Sequence, residues 1–211
     1  MQPIFLDNHV LVLDKPAGLL TQDSGSGQKN LEELAKAWLK LRFQRPGAVF
    51  LHAVHRIDRV ACGLVLFARS SKALSRLNAS LRAGKLQKTY RVRVEGSPSL
   101  SEARLEDYLL HERFQARIAA PDESGARLAS LSYKLLEAGK GQSLLEIQLE
   151  TGRYHQIRAQ LANLGHPVLG DRKYGSRKTW PQGGIALQHY RLGFWHPVKQ
   201  QMLYVQSEIK L

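Results

Sequence analysis

The chain has a single cysteine, Cys62, and no apolar run long enough to cross a lipid bilayer. One cysteine excludes a disulfide framework within the chain. The amino-terminal stretch MQPIFLDNHVLVLDKP has no basic region ahead of a long apolar segment, so it is not predicted to be a secretory signal. These absences favour a protein of a bacterial-type cytoplasm.

The sequence also lacks the motifs of metal and nucleotide sites. The glycine-rich stretch SGSGQK does not have the P-loop pattern. His52 and His55 are three residues apart, but no cysteine cluster and no H-E-x-x-H spacing accompanies them. The histidines that lie downstream include His155, His166, His189 and His196. Isolated histidines usually serve as hydrogen-bonding residues, so neither a metal nor a cofactor is predicted.

Charge is the most unusual feature of the composition. The 31 lysines and arginines exceed the 18 aspartates and glutamates, which gives a net charge of +13 over 211 residues. Such a protein commonly binds a polyanion, although a merely soluble basic surface is the alternative. With 43% apolar residues the chain can bury a sizeable core, and we expect one domain over 1–211.

Hydrophobic periodicity predicts an α+β fold with a mixed, mainly antiparallel central sheet flanked by helices and loops. Helices are predicted from Asn30 (with Glu33 completing a capping box), from Ser70 or Ser71 to Gly84, and over 153–164. The predicted strands cover 10–13, 49–54, 63–68, 86–94, 131–137, 143–150, 185–194 and 202–209. Residues 97–130, interrupted by prolines and a glycine, show no pattern that predicts an element.

Two stretches concentrate chemically useful side chains. HRIDRVACGLVLFA places one acid, Asp58, between Arg56 and Arg59 at the start of a buried strand. In TGRYHQIRAQLANLG, helical spacing puts Tyr154 and Arg158 on one face together with apolar residues. A guanidinium beside an apolar stripe needs an anion, for which Asp58 is a candidate. Such a pair is either structural or part of a reactive site.

These stretches resemble the signatures of the RluA-type RNA pseudouridine synthases. HRIDRVACG is similar to the family's H-R-L-D-x-x-T-S-G, VLVLDKPAGLL to its K-P-x-G segment, and LQKTYRVRVEG to its K-x-Y strand. LETGRYHQIRAQLANLGHPVLGDRKYG and LQHYRLGFWHP resemble two later motifs. Five motifs in family order are far more specific than any one of them.

The resemblance implies a cofactor-free isomerase that converts uridine to pseudouridine in ribosomal or transfer RNA, in a cleft across the central sheet. It makes Asp58 the catalytic acid, Arg158 its partner and Tyr90 the ring that stacks on the base, while Arg56 helps hold the flipped nucleotide. Further substrate-binding residues are expected to be His55, Arg153 and either Leu149 or Leu187. The basic side chains expected to bind RNA phosphates are Lys85, Lys88, Arg172, Lys173, Arg177 and Lys178.

The chain departs from the family pattern at two places. Ala61 and Cys62 replace the usual Thr-Ser pair, and Tyr154 replaces a small polar residue. We also expect no accessory RNA-binding domain and a monomer, so that loops 21–30, 97–130 and 171–185 select the RNA. Two alternatives remain: a catalytically silent RNA-binding module of the same fold, and a glycoside hydrolase, although that chemistry usually needs two placed carboxylates.

Overall fold

The computed structural model describes residues 1–44 and 46–211. The strands are β1 Phe5–Leu6, β2 Val10–Lys15, β3 His52–Ala53, β4 Cys62–Ala68, β5 Gln87–Glu95, β6 Glu102–Glu112, β7 Gln115–Ala119, β8 Arg127–Gly139, β9 Gln142–Leu149, β10 Leu187–Trp195 and β11 Met202–Gln206. The helices are α1 Leu31–Arg42, α2 Ser71–Arg82 and α3 Gln156–Asn163, with a 3-10 helix at Arg172–Tyr174. The chain forms two compact units. It passes from the first unit to the second within β5 and returns to the first within β10.

The first unit comprises Met1–Gln87 and His189–Lys210. Its strands lie in the order β1-β2-β4-β10, with β11 against β10 and β3 against β4. The strand predicted over 49–54 is shorter in the structure, where His52–Ala53 pairs with β4. Val54 and His55 lie in a bend, although the Val54 amide still donates to the Leu66 carbonyl of β4 at 2.8 Å.

Both helices of the first unit begin where the sequence predicts. The Asn30 side chain accepts a hydrogen bond from the Glu33 amide at 2.9 Å and caps α1. The Ser70 hydroxyl accepts one from the Ala73 amide at 3.2 Å and caps α2. Helix α2 packs on β4, whose residues are all buried, as the apolar run 63–68 predicts.

The second unit comprises Lys88–Gln188, together with Leu211. Its strands lie in the order β5-β9-β8-β6-β7, and each neighbouring pair is antiparallel. Strands β6 and β7 and the start of β8 fall in the segment 97–130, where the sequence predicted no element. Paired charged side chains on the solvent face weaken the alternation of apolar and polar residues that predicts a strand. Arg104, for example, binds both Glu106 and Glu150.

Helix α3 starts three residues later than predicted, and it packs against β6 and β7. His155, directly before the helix, has a left-handed φ of 50°, which interrupts the helical path. Tyr154 therefore lies in a turn and is exposed, which corrects its prediction as part of the helix face. Ile157, Arg158 and Leu161 are buried, as the helical spacing predicts.

The predicted α+β class with a mixed, mainly antiparallel sheet is confirmed. Over the described ranges 1–44 and 46–211, no helix is long and apolar enough to span a membrane. The same residues contain no group of three or more histidine, cysteine, aspartate or glutamate side chains placed to hold a metal ion.

Candidate active site

Asp58 lies in the loop that joins β3 to β4 in the first unit. Its side chain is half-buried, whereas Arg56 and Arg59 on either side are exposed. The Ala61 amide donates to the Asp58 carbonyl at 3.1 Å, which closes a turn just before β4 begins. The carboxylate is thus held at the entrance of the most deeply buried strand of this unit.

Lys15, at the end of β2, holds the carboxyl-terminal side of this loop. The side chain is fully buried. Its Nζ donates to four carbonyl oxygens: those of Pro16 at 3.0 Å, Leu19 at 2.8 Å, Arg59 at 3.2 Å and Ala61 at 2.8 Å. Burial lowers the pKa of Lys15 to about 8, although the negative charge of Asp58 acts in the opposite direction. The Gly18 amide donates to the same Arg59 carbonyl at 2.7 Å.

Thr21 holds the other side of the loop. Its hydroxyl donates to the Ile57 carbonyl at 3.2 Å and accepts from the Ile57 amide at 3.4 Å. Asp58 is therefore flanked on both sides by backbone that is bound to the segment 15–21. Sequence reasoning gave Lys15 and Thr21 no role, although a lysine at the end of a mostly apolar strand was a usable signal.

Gly63 allows β4 to approach the neighbouring strand β10 very closely. Its φ is +108°, and a Cβ there would lie 2.4 Å from the His189 carbonyl oxygen, so only glycine fits. His189 in turn bonds through Nδ1 to the Leu64 carbonyl at 2.7 Å, and the His55 Nε2 accepts from the Leu66 amide at 3.3 Å. These two histidines bind backbone within the unit.

Cys62 replaces a hydroxyl-bearing residue of the family signature. The side chain is buried, and burial raises the pKa of its thiol to about 11. A thiol with such a pKa is protonated near neutrality and is a weak nucleophile. In this environment Cys62 acts as a small buried residue.

Arg158 lies on α3 in the second unit, and it is buried. Its Nε and Nη2 donate to the two carboxylate oxygens of Asp171 at 2.6 and 2.9 Å. The guanidinium also lies over the Tyr174 ring, 4.8 Å from its centroid. Sequence reasoning did not identify Asp171, and the pairing of Arg158 with Asp58 stays a prediction.

The turn before α3 is organised by a buried glutamine. The Gln156 Oε1 accepts from the Thr151 hydroxyl at 2.7 Å and from the Arg153 amide at 3.0 Å, and its Nε2 donates to the Ser130 carbonyl at 3.0 Å. The exposed Arg153 side chain donates from Nε to the Leu128 carbonyl at 2.9 Å. The T-G-R segment is therefore fixed against β8.

His155 is held in the same turn. Its Nδ1 is 3.0 Å from the Tyr174 hydroxyl. Burial lowers the pKa of His155 to about 3, and the positive charges of Arg158 and Lys173 act in the same direction. The ring is neutral at physiological pH.

Tyr90 lies on β5 directly opposite Ile147 of β9, and it is buried. Alternation places Lys88 and Leu149 on the same face of these two strands as Tyr90. The Lys88 Nζ is next to Gly152, since a Cβ on this glycine would lie 3.2 Å from it. Burial lowers the pKa of Lys88. Within the second unit, Lys88 thus lies beside the T-G-R segment and shares a sheet face with Tyr90 and Leu149, while Leu187 is buried at the start of β10.

The loop that carries the predicted phosphate-binding residues is tied down through its backbone. The Glu95 carboxylate accepts from the amides of Arg177 at 2.7 Å and Lys178 at 2.8 Å, and from the Ser176 hydroxyl at 2.6 Å. Burial acts to raise the pKa of Glu95, but these hydrogen bonds outweigh it and lower the pKa. Arg177 and Lys178 are exposed, as are Arg172 and Lys173 of the 3-10 helix and Lys85 in the first unit.

Comparison with known proteins identifies the family. Residues 9–163 match the profile of the family described as RNA pseudouridylate synthase. The chain therefore belongs to the RNA pseudouridylate synthase family, and it is an isomerase of the RluA type, as the sequence motifs predicted.

Two relatives from Zymomonas mobilis illustrate the match. Ribosomal large subunit pseudouridine synthase D is 30% identical over 227 residues, which covers 99% of this chain and 69% of the relative. An uncharacterized RNA pseudouridine synthase is 36% identical over 83% of this chain and 78% of the relative. Human RNA pseudouridylate synthase domain containing 4 has the same fold, with a TM-score of 0.83 at 19% identity over 99% of this chain and 88% of that structure.

Proposed function

We propose that this enzyme forms pseudouridine in the RNA of the large ribosomal subunit and that Asp58 is its reactive carboxylate. The observation that carries the proposal is the loop around Asp58. Lys15 and Thr21 bind the backbone on its two sides, while the carboxylate itself remains half-buried. A carboxylate presented with so little conformational freedom is suited to act on a substrate held in one orientation.

The isomerisation breaks the bond between uracil N1 and the sugar C1′. The base then rotates while it stays bound, C5 bonds to C1′, the hydrogen on C5 is lost as a proton, and N1 takes up a proton, so that the product is an isomer of uridine. An ionised carboxylate contributes either by adding covalently to the base or sugar, or by abstracting a sugar proton. Both routes require Asp58 to be charged.

Arg158 is proposed to pair with Asp58 during this reaction. A neighbouring guanidinium keeps a carboxylate ionised, and its planar fork orients the carboxylate better than lysine would. Asp171 supports this role because it binds Nε and Nη2 and thereby fixes the plane of the guanidinium. Arg158 is therefore a positioning residue in this proposal.

The target base is proposed to leave its stack and lie against Tyr90. Flipping a base out costs a few kcal/mol, and stacking on an aromatic ring returns about 1–3 kcal/mol. Arg56, His55 and Arg153 are proposed to hold the flipped nucleotide. Leu149 or Leu187 would then pack beneath the base, while the basic side chains at 172–178 bind flanking phosphates.

Relatives named for the large ribosomal subunit favour ribosomal RNA as the substrate over transfer RNA. The test is to map pseudouridine in total RNA from cells with and without the gene, and then to treat RNA from the deleted strain with the purified enzyme. We expect a position in large-subunit RNA to lose pseudouridine in the deleted strain and to regain it in the purified reaction. A change confined to transfer RNA would contradict the proposed substrate.

A further inference from the structure

A large aromatic side chain is exposed at the tip of the hairpin formed by β6 and β7. Glu112 pairs with Gln115, so the turn consists of Arg113 and Phe114. Phe114 is 77% exposed, and Arg113 beside it has a left-handed φ of 51°. An apolar ring placed this far into solvent, next to an exposed arginine, points to a binding surface.

The hairpin tip is held firmly in place. The Phe114 carbonyl accepts from the Lys173 Nζ at 2.9 Å and from the Tyr154 hydroxyl at 3.5 Å. The Ala116 amide donates to the Tyr174 hydroxyl at 2.8 Å. Because the turn is already ordered, a ligand that stacks on Phe114 would bind with little loss of conformational entropy.

A stack of rings reaches the surface beside this tip. The ring centroid of Tyr154 lies 4.1 Å from that of His111 and 3.9 Å from that of His155, with interplanar angles of 36° and 19°. Two rings this close and this nearly parallel to Tyr154 cannot share one of its faces, so they cover opposite faces. The stack therefore ends at His111, which is exposed and lies on β6 three residues before Phe114.

The charge around the tip is positive. Arg113 and Lys173 are exposed. The nearby acids Glu112 and Glu123 are both bound by Arg117, at 2.8 Å for Glu112, so three cations face two acids around the tip. Exposed rings interleaved with cations match the chemistry of a nucleic-acid strand with unpaired bases.

We propose that Phe114, His111, Arg113 and Lys173 bind an unpaired base and its adjoining phosphates in single-stranded RNA beside the target uridine. This inference rests on the proposed function in that the RNA bound here is the substrate. Phe114 and His111 supply ring faces for stacking, and the two cations bind phosphates. A base within a duplex is covered on both faces, so this surface discriminates in favour of loops and single strands.

The test compares two RNA probes: a short fluorescein-labelled single strand of mixed sequence, and the blunt duplex of the same strand. Phe114→Ala should weaken binding of the single strand roughly tenfold and leave binding of the duplex unchanged. Phe114→Tyr, which keeps a ring, should bind the single strand as the wild type does. Leu41→Ala is the matched control, since Leu41 is an apolar residue of α1 with 80% exposure, and it should bind both probes normally.

Equal binding of the single strand by Phe114→Ala and the wild type would overturn the inference, as would an equal loss for both probes. If Phe114→Ala instead abolishes self-association of the wild type in sedimentation and leaves RNA binding intact, the surface is a protein contact and the inference is also overturned. Pseudouridine formation by the wild type is measured in parallel. An inactive wild type whose single-strand binding still depends on Phe114 would refute the proposed function alone, whereas an active wild type without that dependence would refute this inference alone.

Discussion

Asp171 binds the guanidinium of Arg158 through two parallel hydrogen bonds, with Nε to Oδ2 at 2.6 Å and Nη2 to Oδ1 at 2.9 Å. Both side chains are almost completely buried. Arg158 lies on α3 and Asp171 directly before the 3-10 helix, so the arginine proposed to orient the reactive carboxylate is itself oriented by a second carboxylate. Arg158 thus has a structural role in addition to its proposed part in the reaction.

Asp171→Asn should destabilise the protein strongly. Removing one partner of a buried ion pair leaves the other charge uncompensated, at a typical cost of about 3–5 kcal/mol. Urea unfolding measures the change, and Asp122→Asn is the control because Asp122 is exposed. A loss of free energy of unfolding no larger than that of the control would mean that the pair contributes nothing to stability.

Lys15→Met should lower turnover without removing any group proposed to contact RNA. Methionine has a similar length but no donor, so four carbonyl groups lose their hydrogen bond and the Asp58 loop becomes mobile. We expect about 1–3 kcal/mol less stability and a lower kcat with little change in RNA affinity. Lys72→Met, at an exposed position of α2, should behave as the wild type. An unchanged kcat in the folded Lys15→Met protein would contradict the positioning role.

His155 should make stability depend on pH on the acid side of neutrality. Its pKa is about 3 in the folded protein and near 6.5 in the unfolded chain. Between these values the unfolded chain binds a proton that the folded protein does not, so the free energy of unfolding falls as pH is lowered below about 6.5. The slope for one proton cannot exceed about 1.4 kcal/mol per pH unit, and partial exposure of the ring reduces it.

Urea unfolding at a series of pH values tests this dependence. His155→Asn should be less stable than the wild type at neutral pH, and the difference should narrow as pH falls. His52→Asn, at an exposed position, should give a curve parallel to that of the wild type. A constant difference between wild type and His155→Asn across the range would refute the assignment.

Replacing Arg172, Lys173, Arg177 and Lys178 with glutamine should flatten the salt dependence of RNA binding. Each lost phosphate contact lowers the slope of log affinity against log salt by about 0.7 for a single strand. The backbone bonds to Glu95 survive the change, so the loop should keep its shape. Glutamine at Arg104 and Arg117, which already bind glutamates, is the control and should change the slope less. If the slope of log affinity against log salt is unchanged in the glutamine variant, the RNA phosphates do not bind at these four side chains.

The sequence predicted elements best where local signals were strong. The caps at Asn30 and Ser70 and the buried strand β4 follow from residue type and periodicity alone. Strands β6 and β7 were missed because cross-strand ion pairs on their solvent face, such as that of Arg104 with Glu150, weaken the apolar alternation. Helix α3 was predicted too long because His155 has a left-handed backbone conformation that usually requires glycine, and a histidine gives no such signal in the sequence.

The candidate site was predicted less completely than the fold. The motifs predicted Asp58, Tyr90 and Arg158 as site residues, which stays a prediction, but the residues that hold Asp58 and Arg158 in place came only from the structure. Lys15 and Asp171 act over separations of 44 and 13 residues, where no periodic pattern links the partners. Such contacts depend on how the chain folds back on itself, which local spacing does not encode.

The most direct measurement for the central claim is tritium release from RNA labelled at uridine C5 by the Asp58→Asn variant. That position loses its hydrogen only once the new carbon–carbon bond to the sugar forms. Asparagine nearly conserves volume, and RNA binding should persist because phosphate contacts dominate affinity. The loss of a charge that supports Lys15 should cost about 1–3 kcal/mol of stability. We expect the folded variant to shift RNA in a gel and to release no tritium above background. Substantial release from purified, folded Asp58→Asn protein would contradict the role of Asp58.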